Sequence, residues 1–350
     1  MTAPRTSCLP FVVTMGEPAG IGGEMTLMAW LAARAQNLPV FAAIDDADRL
    51  EGLAQLVRLD VPILRIRTVG DATNAFDQGL PVLHRPLPHA ARPGTLDPRN
   101  APGVIAALDI AVRAALGGEA AGIVTNPIHK ESLYSAGFST PGHTEYLATE
   151  IAKLRGEPPA TPVMMLTAQD LRVVPVTIHQ ALRAAIDSLT PEKIITAGRI
   201  TAKSLRDDFG IAHPRLAVAA LNPHAGEGGT LGREEIEIIA PAVNALRTEG
   251  LTIEGPLPAD TLFHSEARTR HDAVLCMYHD QALIPLKTVD FWGGVNATLG
   301  LDIVRTSPDH GTALDIAGTG RALPSSFIEA LKLAALIADN RARRERSCGE

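Results

Sequence analysis

Short apolar runs alternate with longer segments of helical period along most of the 350-residue chain. Leu9–Met15 reads as a buried strand, followed by a Gly-rich turn and a helix near Gly22–Ala35. Pro39–Ile44 predicts a second strand and Asp46–Arg58 a second helix, with shorter extended pieces at Ile63–Val69 and Pro81–Leu83. Ala101–Leu116 is helical in period, Gly122–Thr125 is strand-like, and helices follow near Lys130–Ala136 and Thr144–Leu154. The second half repeats the rhythm, with strands at Pro162–Thr167, Arg172–Ile178, Leu216–Leu221 and Ala273–Tyr278. Its helices are Pro191–Asp208, Arg233–Glu249 and Leu323–Asn340, and short extended segments lie at Val295–Leu299 and Ile303–Arg305. This alternation predicts an α/β fold with a largely parallel sheet. Polar, Gly- and Pro-rich motifs sit just after the apolar strands: Gly16–Gly23, Thr125–Lys130, His179, Asn222–Gly229 and His279–Gln281. Ligands of open α/β sheets bind at the carboxyl ends of strands, so five such motifs predict one shared cleft.

Composition narrows the picture. Hydrophobic residues make up 46% and aromatics only 4%, so the core must be aliphatic. The net charge of −7 argues against nucleic acid as the main partner. The basic cluster Arg341, Arg343, Arg344 and Arg346 reads as a solvated helix end. Cys8, Cys276 and Cys348 form no disulfide framework and no CxxC pair, which fits a reducing compartment. No apolar run approaches the ~20 residues of a membrane span, and no signal-peptide pattern precedes Phe11, so a cytoplasmic location is expected.

Three histidines stand apart from the other eight. His179, His224 and His279 each follow a predicted strand. Any one alone reads as a hydrogen-bonded structural residue. Together they suit a borderline divalent ion with an open position for substrate, and Asp260 and Asp280 could orient the rings. Lys287, Asn296 and Arg305 offer a point charge, neutral donors and a planar fork, a set suited to a small polyanion. Thr144 reads as the N-cap of the helix after Pro141-Gly142-His143, a place where free amides bind phosphate. The chain contains no GxGxxG, no Walker A loop and no GxSxG elbow.

Seven ordered motifs resemble the 4-hydroxythreonine-4-phosphate dehydrogenase family of the vitamin B6 (pyridoxal phosphate) pathway. They are Met-Gly-Glu-Pro-Ala-Gly-Ile-Gly (15–22), Thr-Asn-Pro-Ile-His-Lys (125–130), Pro-Gly-His-Thr-Glu (141–145) and Leu-Asn-Pro-His-Ala-Gly-Glu (221–227). Gly-Pro-Leu-Pro-Ala-Asp-Thr (255–261), Met-Tyr-His-Asp-Gln-Ala-Leu (277–283) and Arg-Thr-Ser-Pro-Asp-His-Gly-Thr-Ala-Leu-Asp-Ile-Ala-Gly (305–318) complete the set. The resemblance covers about Phe11 to Leu336. It implies a two-domain, isocitrate/isopropylmalate dehydrogenase-like fold, not a Rossmann fold. Residues 1–129 and 310–350 would form the cofactor side, and residues 130–309 the substrate, metal and dimerisation side.

The resemblance also implies a divalent metal (zinc, magnesium or cobalt) on His179, His224 and His279. Substrate contacts would come from His143, Thr144, Lys287, Asn296 and Arg305. NAD or NADP would meet the segment His310–Gly320, with Gly16, Glu17, Gly20, His310, Gly311, Asp315 and Gly318 as contacts. The implied reaction oxidises the substrate hydroxyl, passing hydride to the nicotinamide, to give a β-keto acid that loses CO₂. A homodimer with a shared active site is implied, one metal histidine coming from the partner. Two departures from the family pattern, Ala184 and Asp302, bear on substrate choice. The alternatives are a D-threonate or D-erythronate 4-phosphate substrate, or a cis-dihydrodiol. Different in class is a phosphate acetyltransferase, which needs neither metal nor NAD, and blandest is a non-catalytic metal-binding scaffold.

Overall fold

The computed structural model describes residues 9–134 and 142–348, the last by its backbone only. Cys8, Pro141 and the predicted helix residues 135–136 lie outside the described residues. The strands are β1 (Phe11–Thr14), β2 (Phe41–Asp45), β3 (Ile63–Ile66), β4 (Leu80–His84), β5 (Ile123–Thr125) and β6 (Val163–Ala168), then β7 (Leu171–Pro175), β8 (Arg215–Ala219), β9 (Thr252–Leu257), β10 (Ala273–Cys276), β11 (Val295–Leu299) and β12 (Arg305–Pro308).

Two compact units divide the chain: Met1–Pro162 with Leu301–Ala342, and Val163–Gly300 with Arg343–Glu350. The first unit orders its strands β3-β4-β2-β1-β5-β12, and each registered pair among them is parallel. β1 reads Phe-Val-Val-Thr with all four positions buried, the continuous apolar run of a strand covered on both faces. The helix Ala101–Leu116 lays Val104, Ala107, Ala111 and Val112 into a core shared with Val12, Ile44 and Ile123. Each large aliphatic chain so buried contributes about 1.5–3 kcal/mol. The chain leaves β1 toward β2 on one side and later places β5 on the other, so β1 and β5 flank a topological switch point. Crevices form there, outside the carboxyl ends, which is where Met15–Gly22 and Thr125–Lys130 lie.

The second unit orders its strands β11-β6-β7-β10-β8-β9. β11 and β7 run antiparallel to β6, while β7, β10, β8 and β9 are mutually parallel. Leu166, Val173, Ala217, Val274, Cys276, Leu262 and Leu286 form its core. Burial pushes the Cys276 thiol up, so it behaves as a small apolar residue.

The departures from the expected elements have local causes. Arg233–Glu249 is not one α-helix: a π-helical turn, Glu235–Ile239, precedes the α-helix Ala240–Thr248. Pro241 cannot donate the backbone bond that would continue the α-ladder. The strand β9 escapes the pattern because Gly255 and Pro256 interrupt it, which an edge strand tolerates. The helix His279–Val289 carries Pro285 inside it, which hides its helical period in the sequence. β12 lies two residues later than expected, because its buried Thr306 hides among polar residues; the hydroxyl donates to the Ala330 carbonyl at 2.8 Å. Thr144 is not the N-cap of its helix. The helix runs His143–Arg155 with Gly142 as N-cap, and Thr144 sits inside the first turn.

Candidate functional site

In the second unit, β7, β10 and β8 are adjacent parallel strands, and His179, His279 and His224 follow them in that order. All three therefore leave the sheet at the same end. The His179 and His279 rings lie 5.7 Å apart, centroid to centroid. Two imidazoles on one tetrahedral ion, with bonds of about 2.0–2.1 Å, place their centroids roughly 5 Å apart, so the pair fits shared coordination. His279 Nδ1 lies 2.7 Å from Asp280 Oδ1. That bond selects the tautomer whose Nε2 lone pair is left to bind a cation. The two rings also line a cavity with Thr177, Tyr278, Asp280 and Ala185.

His179 (φ 47°) and His224 (φ 51°) are both in the left-handed region. Such backbone is costly for non-glycine residues and clusters at functional sites. His224 opens a left-handed run through Ala225, Gly226, Glu227 and Gly228. The turn Ala259–Thr261, which carries exposed Asp260, packs against this run. Lys287 stands in the last turn of the helix His279–Val289, its Nζ 5.4 Å from the Phe291 ring centroid. Asn296 lies on β11 opposite Leu166, and its buried amide oxygen has no hydrogen-bond partner among the described residues. An acceptor stranded in this way fits a ligand donor.

In the first unit, Arg305 is only 3% exposed. Its Nη2 donates to Thr125 Oγ1 at 2.7 Å, and burial lowers the guanidinium to about 10. Glu145 is the opposing charge that partly offsets this burial. A buried cation of this kind favours a bound anion. His143 begins the helix beside it, and its buried Nε2 has no hydrogen-bond partner among the described residues. Burial, with Arg305 and Lys130 adding like charge, holds the imidazole well below its usual 6.5. It is therefore neutral near pH 7 and able to donate one hydrogen bond. Asp302 is paired with Arg155 at 3.1 Å, so its charge is largely spoken for.

The depressed His143 value has a stability consequence. Between the native value and about 6.5 the unfolded chain binds the extra proton. Stability contributed by neutral His143 is thus complete above about pH 6.5 and is lost as the pH falls through the native value. Wild-type thermal midpoints should therefore drop more steeply than those of His143→Asn between about pH 6.5 and 5. Parallel curves would contradict this.

The Gly-rich segments of the first unit are knitted together. Glu17 donates its N–H to the Pro127 carbonyl at 2.8 Å and accepts from the Ala19 N–H at 3.1 Å. Burial raises the Glu17 carboxyl against that bond. Gly20 precedes Ile21, whose N–H donates to the Thr312 carbonyl at 3.0 Å. The fully buried Glu24 accepts from the N–H groups of Gly318 and Gly320. His310 Nδ1 lies 3.0 Å from the Gly311 carbonyl, and Gly311 and Asp315 are exposed. Gly16 has φ +67°, and a Cβ there would meet Asn126 Cβ and the Pro127 carbonyl at 2.7 Å. Gly16→Ala should cost about 2 kcal/mol or more, read as a lower urea midpoint at unchanged m-value.

Asp46, Asp48 and His84 also bring ligand-type atoms within 4.8 Å of one another. These groups serve the helix Ala47–Leu56 instead. Asp46 accepts from the N–H groups of Asp48 and Arg49, His84 Nδ1 accepts from the Ala47 N–H at 3.0 Å, and Asp48 pairs with Arg65. We assign them no metal. Glu24 and Glu235 carry no signal in spacing or residue type, and Lys130 is legible only as the last residue of the motif 125–130. Only their backbone and charge contacts reveal their roles.

The result is a two-unit α/β protein in which three histidines follow adjacent parallel strands at one end of a sheet, the His179 and His279 rings close together, and a buried arginine lies beside a neutral histidine. A family model described as pyridoxal phosphate biosynthetic protein PdxA matches residues 37–334. The 4-hydroxythreonine-4-phosphate dehydrogenase of Caulobacter vibrioides is 54% identical over 332 residues, covering 95% of this chain and 98% of that one. The crystal structure of the Klebsiella pneumoniae 4-hydroxythreonine-4-phosphate dehydrogenase is 36% identical with a TM-score of 0.81, covering 94% and 99%. A terephthalate 1,2-cis-dihydrodiol dehydrogenase from Burkholderia xenovorans LB400 is 26% identical with a TM-score of 0.62, covering 94% and 98%. The chain belongs to the PdxA family.

Proposed function

We propose that this chain is an NAD(P)-dependent dehydrogenase of 4-(phosphooxy)-L-threonine in pyridoxal 5'-phosphate biosynthesis, and that its 3-keto product decarboxylates to 3-amino-2-oxopropyl phosphate. The observation that carries the reading is the departure of His179, His279 and His224 from three adjacent parallel strands at one end of the sheet. A divalent cation held by these histidines, one of them from the partner subunit, would supply Lewis acidity to a substrate hydroxyl, and bound NAD or NADP would supply the hydride acceptor.

The chain's own residues hold and orient. Asp280 fixes the His279 tautomer. Arg305, His143 and Thr144 in the first unit, and Lys287 and Asn296 in the second, are assigned to the substrate's anionic groups. The segment His310–Gly318, with Gly16, Glu17 and Gly20, is assigned to the cofactor. Residues 1–129 and 310–350 thus take the cofactor role, and 130–309 the substrate role.

No helix among the described residues is long and apolar enough to cross a membrane, and we place the enzyme in the cytoplasm. We further propose a homodimer. Leu182, Ile236, Ile284, Phe291 and Trp292 are large apolar residues exposed on the second unit, at 45–65%. Such exposure is expected where a second copy covers the surface.

NADH formation tests the reading, measured on 4-(phosphooxy)-L-threonine, D-threonate and D-erythronate 4-phosphates and a cis-dihydrodiol, with and without chelator. Preference for the amino acid and loss of activity on chelation are expected. Chelator-resistant turnover, or preference for another substrate, would replace it.

A further inference from the structure

The ladders of β7, β10 and β8 stop short of the histidines. The last registered pairs are Pro175 with Cys276 and Leu275 with Val218, whereas the imidazoles hang three to six residues farther on. Three buried side chains span that gap. Thr177 is 3% exposed, and its hydroxyl donates to the Met277 carbonyl at 2.7 Å. Gln281 is 8% exposed; its Oε1 accepts from the Met277 N–H at 2.7 Å and its Nε2 donates to the Ala220 carbonyl at 2.7 Å. Glu235 is 3% exposed; its Oε1 accepts from the N–H groups of Leu221 and Asn222 at 2.8 and 2.7 Å, and its Oε2 from Asn222 Nδ2 at 2.9 Å.

These bonds form one chain: Thr177 to Met277, Met277 to Gln281, Gln281 to Ala220, and the next two residues to Glu235. Each histidine lies within two residues of a member of that chain. The bonds act on backbone that has left the regular ladder and, at His179 and His224, occupies left-handed conformations. The π-helical turn begins at Glu235, the residue whose carboxylate reaches back to the strand end. Such turns recur at functional sites.

Resting on the metal assignment above, we propose that Thr177, Gln281 and Glu235 are positioning residues that lock the three strand ends and so fix how His179, His279 and His224 are presented as ligands in metal sites completed across the dimer. They act through the backbone that bears the imidazoles. Groups that orient ligands typically contribute about 10–100-fold in metal affinity.

The test is cobalt(II) titration of the metal-free full-length protein, following ligand-field absorption, alongside urea unfolding. Thr177→Val and Gln281→Met remove hydrogen bonds at nearly constant volume; Thr177→Ser keeps the hydroxyl. Both isosteric variants should bind cobalt about 10–100-fold more weakly with an altered spectrum, and Thr177→Ser should restore wild-type binding. Lower stability with wild-type cobalt affinity and spectrum would reduce these residues to packing and overturn the proposal; Gln281→Met reports independently should Thr177→Val not fold. His224→Asn is the control. If wild type binds no cobalt, or His224→Asn binds it like wild type, the histidine assignment itself fails and this proposal with it.

Discussion

Replacing His224 with asparagine is expected to lower kcat/KM by about a thousand-fold while leaving the fold in place. A Lewis-acid cation contributes several kcal/mol to the transition state, and each 1.36 kcal/mol is tenfold in rate. Asparagine is the informative choice because the residue sits at φ 51°. Alanine is penalised in that region, whereas asparagine tolerates it. Glu235 bonds to Leu221 and Asn222 rather than to the imidazole, so the strand end stays tied. NADH formation and thermal unfolding should therefore separate cleanly, with activity lost and the midpoint shifted by a few degrees at most. Substantial turnover in the variant after chelation would remove His224 from the chemistry.

Arg305→Lys should raise KM for the phosphorylated hydroxy acid about a hundredfold and leave KM for the nicotinamide cofactor almost unchanged. A charged hydrogen bond contributes about 1.5–3 kcal/mol, and lysine cannot reproduce the planar fork. The guanidinium is buried, and that burial holds it down to about 10, with Glu145 the opposing charge. A bound anion would favour the charged guanidinium, which is why the loss should fall on the anionic substrate. Initial rates with each reactant varied in turn decide the matter. Equal weakening of both would show that Arg305 does not hold the substrate's anion.

The α/β alternation was readable because strands such as β1 are apolar at every position and helices such as Ala101–Leu116 keep their period. The strand β9 and the helix His279–Val289 escape that reading, because Pro256 and Pro285 break patterns that tertiary contacts sustain. The three histidines were legible by type and by their place after apolar runs. That their strands are neighbours was not, because β10 enters between β7 and β8 long after both have been made. Residues that act through backbone amides, such as Glu24 and Glu235, leave no spacing signature. Only three-dimensional pairing exposes them.

The first unit is built from two separated stretches, and β12 supplies the neighbour of β5 from the later one. A growing polypeptide exposes the β5 edge until residues 305–308 emerge from the ribosome. Throughout that interval the entire intervening segment 163–300 is already synthesised. Vectorial synthesis ordinarily lets the amino-terminal part mature first. Here the interior insert is free to mature before the body that encloses it in sequence, and a chaperone that shields unpaired edges would find its target in the older half of the nascent chain.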